Sequence, residues 1–158
     1  MKGFLFFLIT GILISACNDT GKTVMADKPR LPLAGTWQLI SGTLIEKGDT
    51  SVTLYNKNIS FIKIINESHF SFLSHDLKKG KDTTASFSAG GGIYSLTDSL
   101  YTEHLEYCSD RQWEGNDFAF TITINNDTLI QKGIEKIENA GINRLNIEKY
   151  VRVKNKAL

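Results

Sequence analysis

Between residues 33 and 153, apolar side chains recur at every second position in short bursts, and glycine, asparagine, aspartate and serine separate the bursts. A period of two puts alternate side chains on opposite faces of an extended chain, so each burst predicts a strand with one buried face. The clearest is 117–125, where Phe118, Phe120, Ile122 and Ile124 point one way and Ala119, Thr121 and Thr123 the other. Asn125-Asn126-Asp127 then turns the chain, and 128–133 returns as the second arm of a hairpin. Near the C-terminus, Leu145, Ile147, Val151 and Val153 share a face with Lys149. Strands are expected at 35–46, 58–66, 69–75, 84–97, 100–109, 117–125, 128–135 and 144–153. Only 134–141 has any helical character, too short to change the class.

Eight strands on mostly short links make an antiparallel up-and-down meander, which removes its two long edges by closing on itself. The expected fold is therefore all-β, an antiparallel β-barrel of about eight strands with at most one short helix. A barrel of this size is either filled by side chains or holds one small ligand. The links 75–83 and 109–116 exceed a tight turn and are expected around a barrel mouth. The second carries Trp113, either a lid over a ligand or a ring folded onto the barrel end.

Ahead of the barrel, MKGFLFFLITGILISA joins one early lysine to an apolar run and ends on small residues, the pattern of a secretory signal. The run 4–14 is shorter than the roughly 20 residues a bilayer-spanning helix needs. Ile14-Ser15-Ala16-Cys17 resembles the lipobox of bacterial lipoproteins, which implies that Cys17 becomes the first mature residue and carries acyl chains. Each buried methylene contributes about 0.8 kcal/mol, so more than one chain anchors stably. Asn18, where that resemblance associates aspartate with inner-membrane retention, points to the bacterial outer membrane, on either face. The expected organisation is a lipoprotein signal peptide at 1–16, a lipidated flexible tether at 17–32, polar and without periodicity, and one barrel domain at 33–154.

Charge and cysteine usage narrow the function. Without Lys2 the eighteen basic residues fall to seventeen and balance seventeen acidic ones, so no basic face exists for nucleic acid. With Cys17 acylated, Cys108 has no disulfide partner. His104-x-Glu106 supplies two metal ligands at most, and no H-E-x-x-H, cysteine pair or acidic loop supplies more, so neither metal nor cofactor is expected. No nucleophile motif such as G-x-S-x-G occurs, and an enzyme is not the expected class.

The richest polar stretch is 88–107. Gly90-Gly91-Gly92 lacks the helix and lysine of a phosphate cradle; within a strand it allows a sharp bend or the approach of a ligand to the backbone, and the bend is the expected role. On 100–108, Tyr101, Glu103, Leu105 and Tyr107 alternate with Thr102, His104, Glu106 and Cys108; the first set is expected inward. A buried Glu103 then needs a partner, such as Tyr94, His69 or a basic group on a ligand. His69 lies opposite Phe70 and Phe72, and a one-residue slip in register would reverse its face. Candidate ligand-binding residues are Tyr94, Tyr101, Glu103, Tyr107, Trp113 and His69.

Gly35-Thr36-Trp37 resembles the G-x-W signature at the first strand of lipocalins, and Arg152 matches the arginine that this family stacks on the tryptophan. The resemblance implies that Trp37 plugs one end, that Gly35 lets the chain pass close by, and that Arg152 covers the indole. The middle Thr-Asp-Tyr signature of that family is missing, so its receptor and pheromone-carrier roles are not carried over. From about 33 to 153 the chain is similar to lipocalin-like (calycin) domain lipoproteins of the Bacteroidetes type, through His69-Phe70, Gly90-Gly91-Gly92-Ile93-Tyr94 and the run from Tyr101 to Tyr107. That likeness implies a fold and an address but no reaction. The expected function is a lipid-anchored protein holding a small, partly apolar ligand in or at the mouth of the barrel. Two alternatives are a filled barrel docking another envelope protein through 75–83 and 109–116, and a hydrolase or isomerase using Glu103 with His69 or Tyr94.

Overall fold

The computed structural model describes residues 32–55, 57–81, 83 and 85–154. The expected signal peptide, the tether up to residue 31 and the acylated Cys17 lie outside the described residues.

The alternating segments form nine strands: β1 (Gly35–Glu46), β2 (Asp49–Leu54), β3 (Ile59–Ile65), β4 (His69–Asp76), β5 (Phe87–Thr97), β6 (Leu100–Cys108), β7 (Asn116–Asn125), β8 (Thr128–Ile137) and β9 (Ile142–Arg152). All pairings are antiparallel, and β9 returns to pair with β1, Trp37 opposite Arg152 and Ile45 opposite Leu145, so the sheet closes. β2 and β3 occupy the same edge of β1, on Ser41–Glu46 and Gly35–Gln38 respectively, and Tyr55 N donates to Ile40 O between them. Together they act as one interrupted strand, and the barrel has eight.

The strand at Asp49–Leu54 was not expected from the sequence, and all six of its residues are exposed, so no buried face imprinted a pattern on it. The helical character of 134–141 is confined to a single 3-10 turn, Glu138–Ala140, while residues 134–137 complete β8.

At one end of the barrel the inward side chains are large and close-packed. Trp37, Leu39, Ile65, Phe70, Tyr101, Ile122, Leu129 and Tyr150 are all buried there. Trp37 Nε1 donates to the Leu33 carbonyl at 2.8 Å. The Arg152 guanidinium lies 4.0 Å from the centroid of the Trp37 ring and donates to the Ala34 and Pro32 carbonyls. Gly35 has a φ of +145°, which L side chains rarely adopt, and a Cβ there would also meet the Arg152 guanidinium. Stacking of this kind contributes about 0.5–2 kcal/mol.

Two irregularities break the period of two. One lies between Leu39 and Ser41 on β1; after it Gly42 and Leu44 carry on the inward face. The other sets Gly91 opposite Tyr107 but Gly92 opposite Leu105, so Glu106 is an extra residue on β6. β5 needs its glycines at this bulge: a Cβ at Gly92 would meet the His104 carbonyl, and one at Gly90 would stand 2.5 Å from the Phe72 ring. The triplet therefore serves a bend, as expected. The same bulge corrects the expected placement of Tyr107, which is rotated outward and 71% exposed, while Cys108 takes the inward position.

Candidate functional site

Away from the Trp37 plug the interior does not fill. A cavity of about 320 Å³ opens at the end where the links after β4 and β6 emerge. Its walls include two groups of aromatic rings. Phe61 on β3 stacks on Phe72 of β4 with centroids 5.5 Å apart, and Tyr55 meets Phe61 edge-on at 5.8 Å. Opposite them Trp113 tilts against Phe118 at 5.6 Å.

Trp113 reaches the cavity because the link 109–116 is tied down. The chain forms a 3-10 turn at Arg111–Trp113, Glu114 accepts a hydrogen bond from Cys108 N at 2.9 Å, and Gly115 N donates to Leu105 O at 2.8 Å. Asn116 Nδ2 donates to the Trp113 and Glu114 carbonyls. The Arg144 guanidinium lies 5.0 Å from the centroid of the indole and holds it from the β9 side.

Polar groups converge beneath and beside the rings. Lys63 on β3, buried at 3% exposure, donates from Nζ to Glu103 Oε1 at 2.6 Å and to Gln131 Oε1 at 3.1 Å. The same ammonium lies 5.5–5.9 Å from the centroids of Phe70, Tyr101 and Tyr150. Burial pushes the Glu103 carboxyl above its ordinary range, Lys63 opposes that push, and the nearby Glu148 charge reinforces it. The Tyr101 hydroxyl sits beside this carboxylate but makes no well-aligned hydrogen bond; burial and then the Glu103 charge raise its pKa. Nearer the mouth, Glu135 accepts from Arg144 Nε at 2.6 Å and from Asn146 Nδ2 at 2.7 Å. Glu148 accepts from the Tyr150 hydroxyl at 2.8 Å.

Of the six residues expected at a ligand site, two line the cavity, Glu103 and Trp113. Tyr101 points inward as expected but is completely buried in the plug. Tyr94 packs against it, with centroids 5.1 Å apart, and donates to the Asn66 carbonyl near the closed end. His69 is exposed on the outer face of β4, where its Nδ1 meets Ser68 Oγ at 2.8 Å. Phe70 and Phe72 take the inner face of that strand, so His69 does not reach the Glu103 carboxylate as a partner, and the hydroxyl of Tyr94, the other expected partner, donates to the Asn66 carbonyl. Glu103 has instead a lysine of the chain itself. His104 pairs outside with Asp117 at 2.6 Å. Among the described residues no cluster of three or more metal-ligating side chains occurs.

The groups missed in the sequence are Lys63, Gln131, Glu135, Arg144, Asn146 and Glu148. On β9 the apolar set from Leu145 to Val151 faces outward or sideways, and Arg144, Asn146, Glu148 and Tyr150 point inward. The signal was present as strict alternation of polar side chains at 144, 146 and 148 ending in a tyrosine. Assigning the apolar face to the interior, the default for a packed core, hides it wherever the interior is a polar cavity.

The chain matches no protein-family model and no curated protein sequence.

Proposed function

We propose that this protein binds a small, partly apolar molecule inside its barrel, and that it is a lipocalin-like lipoprotein held to the outer membrane through acyl chains on Cys17. The observation that carries the binding reading is the cavity of about 320 Å³ beneath Trp113, walled by Tyr55, Phe61, Phe72 and Phe118 and floored by placed polar groups. That volume falls at the small end of ligand pockets, and a few oriented polar groups among rings is the composition such pockets share. Cavities lined only by hydrocarbon can stay dry, whereas this one carries carboxylates and amides with further acceptor and donor positions that water or a ligand can fill. The lipocalin-like assignment is supported by Trp37 under Arg152 at the closed end.

Trp113 provides the test, since the chain has two tryptophans and the other is sealed in the plug. Small molecules released from the purified protein and identified by mass spectrometry are expected to bind again with saturable change of Trp113 emission, lost in Trp113→Phe. A protein that releases nothing and whose emission responds to no added small molecule would end this reading. Incorporation of labelled fatty acid, abolished in Cys17→Ser, tests the anchor separately.

A further inference from the structure

Charge accounting inside the cavity gives its ligand a sign. Four carboxylates line it, Glu103, Glu135, Glu148 and Asp110, against two cationic side chains, Lys63 and Arg144. Lys63 is committed to Glu103 at 2.6 Å and Arg144 to Glu135 at 2.6 Å. Glu148 receives only a phenol proton, from Tyr150, and among the described residues no lysine, arginine or histidine forms an ion pair with it. Asp110 at the mouth is met by the neutral Gln112 amide at 3.0 Å. Asp110 is exposed at the mouth, whereas Glu148 is half-buried beside the rings without a cationic partner, and a cation entering the same space would supply one.

The rings point the same way. Tyr55, Phe61 and Phe72 form one continuous aromatic wall of this cavity, and the Phe61 ring lies 6.4 Å from that of Tyr150, the residue bonded to Glu148. Ring faces carry negative potential and attract ammonium groups, most strongly where water is excluded. The Glu148 charge already acts on this wall: after burial, it is the main influence raising the pKa of the Tyr55 phenol. An anionic ligand would meet two cations already neutralised and two carboxylates that are not.

Resting on the reading of the barrel as a binding cavity, we infer that its ligand is a small amphiphilic amine, with the ammonium group at Glu148 and the apolar body between the Phe61–Phe72 wall and Trp113.

The test uses three probes of one shape, phenethylammonium, 2-phenylethanol and 3-phenylpropionate, titrated calorimetrically into the full-length chain in nonionic detergent at pH 7. The ammonium is expected to bind at least about tenfold more tightly than the alcohol, as for a close charge pair in a desolvated site, and the carboxylate least well. Glu148→Gln, which keeps the side-chain volume, is expected to bring the ammonium down to the affinity of the alcohol, whereas the exposed Glu106→Gln leaves the preference intact. Equal binding of ammonium and alcohol, tightest binding of the carboxylate, or a preference that survives in folded Glu148→Gln would overturn the inference while leaving a binding cavity. Absence of binding by all three probes would overturn the inference alone, since the binding reading falls only if the protein also releases nothing and its Trp113 emission responds to no added small molecule.

Discussion

Lys63 Nζ lies 2.6 Å from Glu103 Oε1 inside the barrel, an ion pair joining β3 to β6 across 40 residues of sequence with both side chains nearly sealed from water. Such a pair gains little net stability over apolar packing, because desolvation of both charges offsets their attraction. Breaking it is another matter, since the survivor is left charged in an apolar setting. Lys63→Met and Glu103→Leu are each expected to destabilise the barrel by about 3–5 kcal/mol, and the two combined to recover most of that loss. Urea unfolding of the four proteins measures this coupling. Two single losses that simply add would show that the pair is not one unit.

At the closed end, Arg152 combines a ring contact with two carbonyl contacts on the segment leading into β1. Arg152→Ala removes all three, with an expected cost of about 2–3 kcal/mol. Arg152→Lys should recover little, because an ammonium cannot stack flat on the indole while its nitrogens reach two carbonyls. Denaturation midpoints check the stability, and in a Trp113→Phe background, where Trp37 is the remaining tryptophan, emission shifting toward longer wavelength in the alanine variant checks that the plug has loosened.

The bulge on β6 depends on the absence of a side chain across from it. In Gly92→Ala the new methyl would meet the His104 carbonyl, which is backbone and cannot turn aside. The expected loss is about 3 kcal/mol, the upper end for overpacking, or failure to fold. The neighbouring Ile93→Ala, on a side chain that is 44% exposed, should cost within about 0.5 kcal/mol and serves as the comparison. If Gly92→Ala melts with the wild type, the glycines are not there for closure.

The barrel was legible because its signals are local: period-two runs, turn residues between them, and a tryptophan and an arginine at the two ends of the sheet that closure brings together. What the sequence concealed falls into two kinds. The bulge at Glu106 is one extra residue; it reverses Tyr107 and admits Cys108, and nothing in the alternation of 100–108 marks where the count slips. The other loss was the cavity's chemistry. Lys63 lies between Ile62 and Ile64, and Glu148 between Ile147 and Lys149, so a rule that turns apolar faces inward sends both charges to solvent. Such a rule holds for a packed core such as the Trp37 end. It fails where inward positions face the cavity, as Glu148 does, or a polar partner across the barrel, as Lys63 does, and partnering across 40 residues cannot be read from spacing.

The link after β4 supplies a pH dependence whose sign is fixed. Asp76 accepts backbone N–H groups of Gly80 at 3.0 Å and of Ser86 at 3.1 Å, and these bonds hold its carboxyl below the ordinary value of 3.8. The unfolded chain therefore takes up this proton first as pH falls. The stabilisation is present above about pH 3.8, the unfolded value, and is lost as pH drops through the lower folded one. Asp127 and Glu138, kept low by Lys154 and Lys136, act in the same direction, so the wild-type curve alone does not isolate Asp76. The difference between wild type and Asp76→Asn does: a gap in urea midpoint is expected near neutrality and should close toward the acid end of the titration. Protection of the Gly80 and Ser86 amides against hydrogen exchange should fall in Asp76→Asn with the barrel amides unchanged. A midpoint gap that stays constant from neutral to acid pH would show that the carboxylate charge contributes nothing to holding this link.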